Sequence, residues 1–166
     1  MGFPWNSIIK PSGYLISAGK LEAFEKELGY LLPGDYRTFL FKFNGGKILI
    51  DHEIRVPELT GDTFVNYLLP LSAKSPFLGI KEGRELQVKN RLWLRQAVEI
   101  GDNMGTGFFF LILNGTERGS IYFGYKDDIP VLEGDWYSNE VRIPDCMAKI
   151  SGTFDELGEI ICRNKT

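Results

Sequence analysis

The only imidazole of the 166-residue chain, His52, stands between two carboxylates in Asp51-His52-Glu53. Flanking acids raise the proton affinity of a histidine and suit it to acid-base chemistry. A nucleophile in a recognisable serine or cysteine motif does not accompany it, and short apolar runs flank it on both sides, so the triplet is expected to be a solvated turn. Gly101-Asp102-Asn103-Met104-Gly105-Thr106-Gly107 is rich enough in glycine to gather an anion on its backbone N–H groups. It lacks the Lys-Ser/Thr of a P-loop and the third glycine of a dinucleotide fingerprint, and a calcium loop needs an oxygen ligand where Met104 sits. The preferred reading is a strand-initiating turn with positive backbone angles at its glycines. Cys146 and Cys162 lie in unrelated contexts and are expected to be reduced, partly buried thiols rather than a disulfide framework. With one histidine and no cysteine pair at ligand spacing, a zinc site cannot be assembled. The sequence assigns no catalytic residue, no cofactor and no metal, and the chain is read as a non-enzyme.

Binding chemistry is better represented. From Asp127 to Tyr137 the chain alternates acids with apolar and aromatic residues, and Asp127, Asp128, Glu133, Asp135, Trp136 and Tyr137 have the composition of an interface anchor beside a charged rim. A second reading fits equally: an acidic surface loop with Trp136 tucked inward. Asp51 and Glu53 join the candidate partner-binding residues. Twenty-two acidic against 19 basic residues give a net charge of −3, which disfavours direct nucleic-acid binding and favours a basic protein partner. A run of about 18 apolar residues for a membrane span is missing. The first residues are interrupted by Pro4, Asn6, Lys10, Pro11 and Gly13, so a cytoplasmic location is expected.

These residues must be held by elements that the sequence also writes. A first helix is predicted over Ala18–Leu28: Ala18, Leu21, Phe24 and Leu28 recur at helical spacing and leave Glu22, Glu25 and Lys26 for water. Ser17 is its N-cap, Ile16 and Leu21 close over its start, and Gly29 ends it. Pro33 opens a second helix at its first position, Asp35 complements the helix dipole, and Tyr36, Phe39, Leu40 and Phe43 form the buried stripe. Asn44-Gly45-Gly46 stops it. Neither helix is long enough to stand alone, so the two must pack together.

Beyond the pair, Lys47–Ile50 and Ile54–Pro57 are expected to form a hairpin, and Tyr67–Leu71 a strand that Pro70 confines to a sheet edge or to its own end. A helix is predicted over Ile80–Ala97. Phe108–Leu113 is a continuous apolar run suited to a central strand covered on both faces, and Ser120–Tyr125 pairs with it as an antiparallel hairpin, with a bulge at Gly124. Thr153 and Glu156 form a capping box for a last helix. The expected organisation is one domain over 1–166: a helical pair at about 17–45, a sheet region at about 47–145 and a C-terminal helix at about 153–163.

Three stretches together resemble the SUKH superfamily, which takes in bacterial immunity proteins and the fungal Smi and Knr cell-wall regulators. The first is Leu21 to Gly46, with Leu32, Pro33, Tyr36, Phe39, Leu40, Asn44, Gly45 and Gly46. The second is Val98 to Gly107, with Gly101, Asp102 and Gly105, continued by the Phe108–Phe123 hairpin. The third is Thr153–Leu157. Many relatives differ in carrying an acidic residue at Phe108 and a tryptophan-aspartate-histidine cluster at Gly124-Tyr125-Lys126-Asp127. The resemblance implies an α+β domain with a twisted, mainly antiparallel sheet flanked by helices. It also implies an immunity protein, monomeric or weakly dimeric, that neutralises a cognate toxin domain by direct binding. The toxin is expected to be a basic nuclease blocked sterically and electrostatically. The alternative is a regulatory scaffold of the Smi/Knr type.

Overall fold

A computed structural model describes residues 2–72, 79–89, 96–129 and 143–166. Seven strands form one antiparallel sheet in the order β1 (Ile9–Pro11), β2 (Gly46–Ile48), β5 (Tyr67–Leu68), β6 (Ala97–Asp102), β7 (Gly107–Ile112), β8 (Ile121–Tyr125) and β9 (Met147–Ser151). β3 (Ile54–Val56) and β4 (Gly61–Thr63) pair separately, and the helices are α1 (Ala18–Leu28), α2 (Gly34–Phe43), α3 (Ile80–Lys89) and α4 (Phe154–Arg163). The architecture is α+β.

Local signals place the helices. Ser17 is extended and its Oγ accepts from the Lys20 N–H at 3.3 Å, while Gly29 ends α1 at φ 79°. Ala18 is exposed, and the buried face is Leu21, Phe24 and Leu28 together with Glu25. Glu25, expected in water, is only 5% exposed because its Oε1 accepts from Leu32 N–H and from Arg37 Nε, each at 3.1 Å. That carboxylate ties α1, the connector and α2 together, and ion pairing makes its burial tolerable. Pro33 is the N-cap of α2 rather than its first residue: its ψ of 141° is extended, and its carbonyl takes the first helical hydrogen bond, from Arg37 at 2.8 Å. Asp35 reaches further than its own helix. Its Oδ2 accepts from the N–H groups of Phe154 at 2.8 Å and Asp155 at 3.1 Å, capping α4 from a distant part of the chain. Thr153 Oγ1 accepts from Glu156 N–H as predicted, but the Glu156 carboxylate returns to Gly152 N–H rather than to that of Thr153.

Asn44-Gly45-Gly46 turns α2 into the sheet. Asn44 adopts φ 50°, donates from Nδ2 to the Tyr14 carbonyl at 2.9 Å and accepts at Oδ1 from Leu71 N–H at 2.8 Å. A Cβ on Gly45 would lie 2.5 Å from the Leu68 carbonyl oxygen, and one on Gly46, at φ 148°, would overlap the Lys10 carbonyl. β2 thus enters between β1 and β5 with its backbone closer to both than a side chain allows.

The predicted hairpin of 47–50 with 54–57 does not form. Both edges of β2 are occupied, with Lys47 opposite Lys10 on one side and Tyr67 on the other, and β3 pairs instead with β4. Pro70 lies just beyond β5, consistent with a proline confined to a strand's end. α3 stops at Lys89 and Ala97 already opens β6. β9, at 147–151, extends the sheet past the predicted limit of 145, and β1 adds to it before the helical pair. β7 and β8 pair as expected, Phe109 opposite Phe123, but Gly124 is in regular register with Phe108 and Met147. Its missing side chain makes room for Met147, whose Cγ a Cβ would approach to 3.0 Å. The register shifts fall elsewhere, between Glu99 and Gly101 and between Ile121 and Tyr122.

Alternation along the strands divides the core. Leu68, Val98, Phe109, Leu111 and Phe123 join the buried faces of α1, α2 and α4, where Trp5 stacks on Phe154 at 4.6 Å and Phe154 meets Tyr36 edge-on at 4.7 Å. Ala97, Phe110, Ile112 and Met147 form a smaller cluster on the opposite face, so β7 is covered on both sides. Tyr36 is fully buried with its hydroxyl unpartnered, and burial pushes its phenol well above the ordinary value.

Two substitutions test this account in opposite directions. Gly46→Ala should destabilise the fold by about 2 to 3 kcal/mol, since strain and overlap add. Tyr36→Phe should be neutral or stabilising by about 1 kcal/mol, because it deletes a desolvated hydroxyl that bonds nothing. Denaturant unfolding of the two variants beside the parent protein measures both.

Candidate functional site

His52 is neither solvated nor free. It is 8% exposed; Nδ1 donates to the Ile50 carbonyl and Nε2 accepts from the Val65 N–H, both at 2.9 Å, which fixes the neutral tautomer. Around it, His52 bridges to Lys165, Glu53 N–H donates to the Asn164 carbonyl at 3.2 Å, and Thr166 N–H donates to the Asp51 carbonyl at 3.0 Å. The imidazole is a clasp that joins residues 50–53 to β4's continuation, and backbone bonds from residues 51–53 add the chain beyond α4. Burial lowers its pKa from the ordinary 6.5 and outweighs the Ile50 hydrogen bond and the Asp51 charge, which pull upward. The expected rise in proton affinity is therefore reversed. Acid-base catalysis needs a ring nitrogen available to substrate, and both are occupied by backbone.

The side chains flanking the clasp face outward. Asp51, Glu53 and Asp62 are exposed and line a shallow depression of about 620 Å³, with Lys47, Phe64 and Met104 also on its wall. Met104 comes from the turn between β6 and β7. Met104 N–H donates to Asp102 Oδ1 at 2.8 Å, and Asn103 Oδ1 accepts from Gly107 N–H at 2.6 Å and from Thr106 Oγ1 at 3.0 Å. Asn103 N–H donates to the Gly107 carbonyl at 3.3 Å. The amides an anion cradle would use at 103, 104 and 107 are thus engaged inside the turn. Gly105 has the predicted positive angle, φ 88°, but Gly101 is required for a different reason: a Cβ there would lie 2.7 Å from the Tyr67 carbonyl. Met104 also adopts a left-handed angle, φ 73°, which costs an L-residue about 1 kcal/mol or more.

Asp127 and Asp128 belong to the same end of the sheet. Lys126 N–H donates to the Thr106 carbonyl at 2.9 Å, joining the turn after β8 to the turn that carries Met104, and Tyr125 Oη donates to the Asp62 carbonyl at 3.4 Å. Asp127 and Asp128 thus follow directly on a residue fastened to the Met104 turn. Glu133, Asp135, Trp136 and Tyr137 lie outside the described residues. Asp62, Phe64 and Met104 were not foreseen as site residues, since their place depends on the β3–β4 pairing and on the turn's geometry. Among the described residues, acids, histidine and cysteines do not gather into a group able to hold a metal. Cys146 is partly buried, which pushes its thiol up, whereas Cys162 is exposed, contrary to the expectation for it.

The profile of the SMI1 / KNR4 family (SUKH-1) matches residues 15–157, a span that contains the helical pair, the Met104 turn and the start of α4. The chain belongs to this family. A comparison with curated proteins returns no match. Membership of the SMI1 / KNR4 (SUKH-1) family is consistent with immunity and regulatory roles and points to a protein as partner. Among the described residues, no helix is long and apolar enough to cross a membrane.

The His52 clasp carries a pH signature typical of the lowered pKa. Below pH 6.5 the unfolded chain takes up a proton that the folded ring resists, so stability present above that value is lost as pH falls toward the folded pKa. Melting temperature should therefore drop between pH 7 and pH 5 by an increment that His52→Gln lacks. Equal slopes in the two proteins would show that His52 is not responsible.

Proposed function

We propose that this chain is an immunity-type protein that binds a toxin domain and blocks it, the toxin being a basic nuclease. Family membership supports a protein partner, and the convergence of Asp51, Glu53 and Asp62 on one depression, with Asp127 and Asp128 just after Lys126, whose N–H is tied to the neighbouring turn, carries the charge argument. An acidic surface attracts a nuclease because the nuclease's own groove is cationic for phosphate, and a bound protein there excludes nucleic acid sterically. Apolar Phe64 and Met104 beside the acids supply the desolvated contact that exposed charges alone do not. His52 serves as scaffold for this surface and takes no part in a reaction.

Co-expression with the toxin domain encoded in the neighbouring reading frame tests the reading: rescue of growth and co-purification are expected. Killing that continues unchanged, without a complex, overturns it, and capture of signalling proteins instead would favour a regulatory scaffold. Within a complex, reversing Asp51 and Asp62 to lysine together should slow association roughly tenfold at low salt and flatten its salt dependence, with little change in melting temperature. Stopped-flow association at two ionic strengths reads this directly.

A further inference from the structure

Met104 is 72% accessible, and it is held at a backbone angle that glycine adopts freely and methionine does not. A strained residue persists only where its surroundings over-determine it. Here they do. Asp102 Oδ1 holds the Met104 N–H, and Asn103, 5% exposed, spends its side chain on Gly107 N–H, Thr106 Oγ1 and, through Nδ2, Thr63 Oγ1 of β4 at 3.1 Å. The turn is thereby fastened to its own strands and to the small sheet. An apolar side chain pointing into water returns nothing to the fold for that strain.

From this geometry we infer that Met104 is a pre-positioned anchor: the β6–β7 turn inserts it into an apolar pocket on a protein partner whose pocket is rimmed by lysine or arginine. The rim chemistry follows from the surroundings. Asp51, Glu53 and Asp62 are exposed on the depression that Met104 overhangs, against one lysine, Lys47, among its lining residues. A flexible, unbranched thioether fills an irregular pocket well, and holding its backbone in place before contact reduces the ordering cost of binding. The inference rests on the immunity reading for the partner's identity, and specifies which residue of this chain is buried by it.

The test uses the full chain and the toxin domain with which it is co-expressed. Met104→Gly removes the anchor and relieves the strain, so melting temperature should hold or rise while the complex weakens roughly 10- to 100-fold, mostly through faster dissociation. Met104→Leu retains an apolar anchor and should stay within about fivefold of the parent. Stability and affinity thus move in opposite directions, which a structural role for Met104 does not produce. Dissociation of Met104→Gly within about threefold of the parent overturns the inference while leaving the immunity reading intact, and a fall in its melting temperature overturns it as well by showing that the side chain serves the fold. A parent protein that forms no complex is the separate failure of the immunity reading.

Discussion

The fold turns on a backbone contact that only glycine permits. β2 is three residues long and lies between two strands that leave no space for side chains at Gly45 and Gly46, so the chain leaving α2 must drop into that slot at the level of Leu68 and Lys10. Asn44 makes the turn possible by bonding on both sides of the corner, donating to the Tyr14 carbonyl before the helical pair and accepting from the Leu71 N–H beyond β5. Because β2 separates β1 from β5, its placement sets the register of one half of the sheet. It also sets where the chain emerges at Leu49, and hence where the His52 clasp and the flanking acids sit.

Buried and half-buried polar groups then act as ties between elements rather than as chemistry. Glu25 satisfies the Leu32 amide and holds Arg37; Asp35 takes the first two amides of α4, beside the one that Thr153 caps; His52 pins Val65 and Ile50. Each replaces water on a backbone group that the fold has desolvated, and leaving such a group unpaired costs more than the bond itself contributes. These three side chains are in this way already committed. What remains accessible among the described residues at the end that carries His52 is carboxylate, aromatic and thioether beside Lys47 and Lys126, a combination suited to contact.

Sequence reading recovers what local signals determine and misses what depends on distant partners. The limits of α1, the stop after α2, the β7–β8 hairpin and the cap of α4 follow from residues a few positions apart. β1, β4 and β9 are three to five residues each and owe their existence to neighbours, Lys47 for Lys10, Arg55 for Asp62 and Phe123 for Ala148, that no local pattern names. Helical spacing assigned Glu25 to solvent because periodicity carries no information about Arg37 twelve residues on. For the candidate site, Asp51 and Glu53 were legible as exposed acids, but their company was not. Asp62 arrives with the unforeseen β3–β4 pairing, and the orientation of Met104 is a property of a turn whose glycines advertise flexibility while its asparagine imposes rigidity. His52 misled for a related reason: flanking carboxylates are visible in sequence, whereas the burial that outweighs them is not.

Rigidity at this end of the sheet explains how strain and clasp belong together. A turn that carried Met104 on a loose hairpin would relax its left-handed angle by opening, since nothing covalent opposes that motion. Asn103 prevents this by bonding across the turn and to Thr63, and Thr63 in turn sits in β4, two residues from the Val65 amide that His52 holds. The chain of ties therefore runs from the clasp through β4 to the turn. The acids of the depression and the thioether above it are borne on the same framework, so their spacing is set before any partner arrives. Binding to such a surface spends little on ordering and leaves discrimination to fit and charge. A scaffold able to keep one methionine in an unfavourable backbone state is stiff at that turn, because the strain would otherwise be relieved by the turn opening.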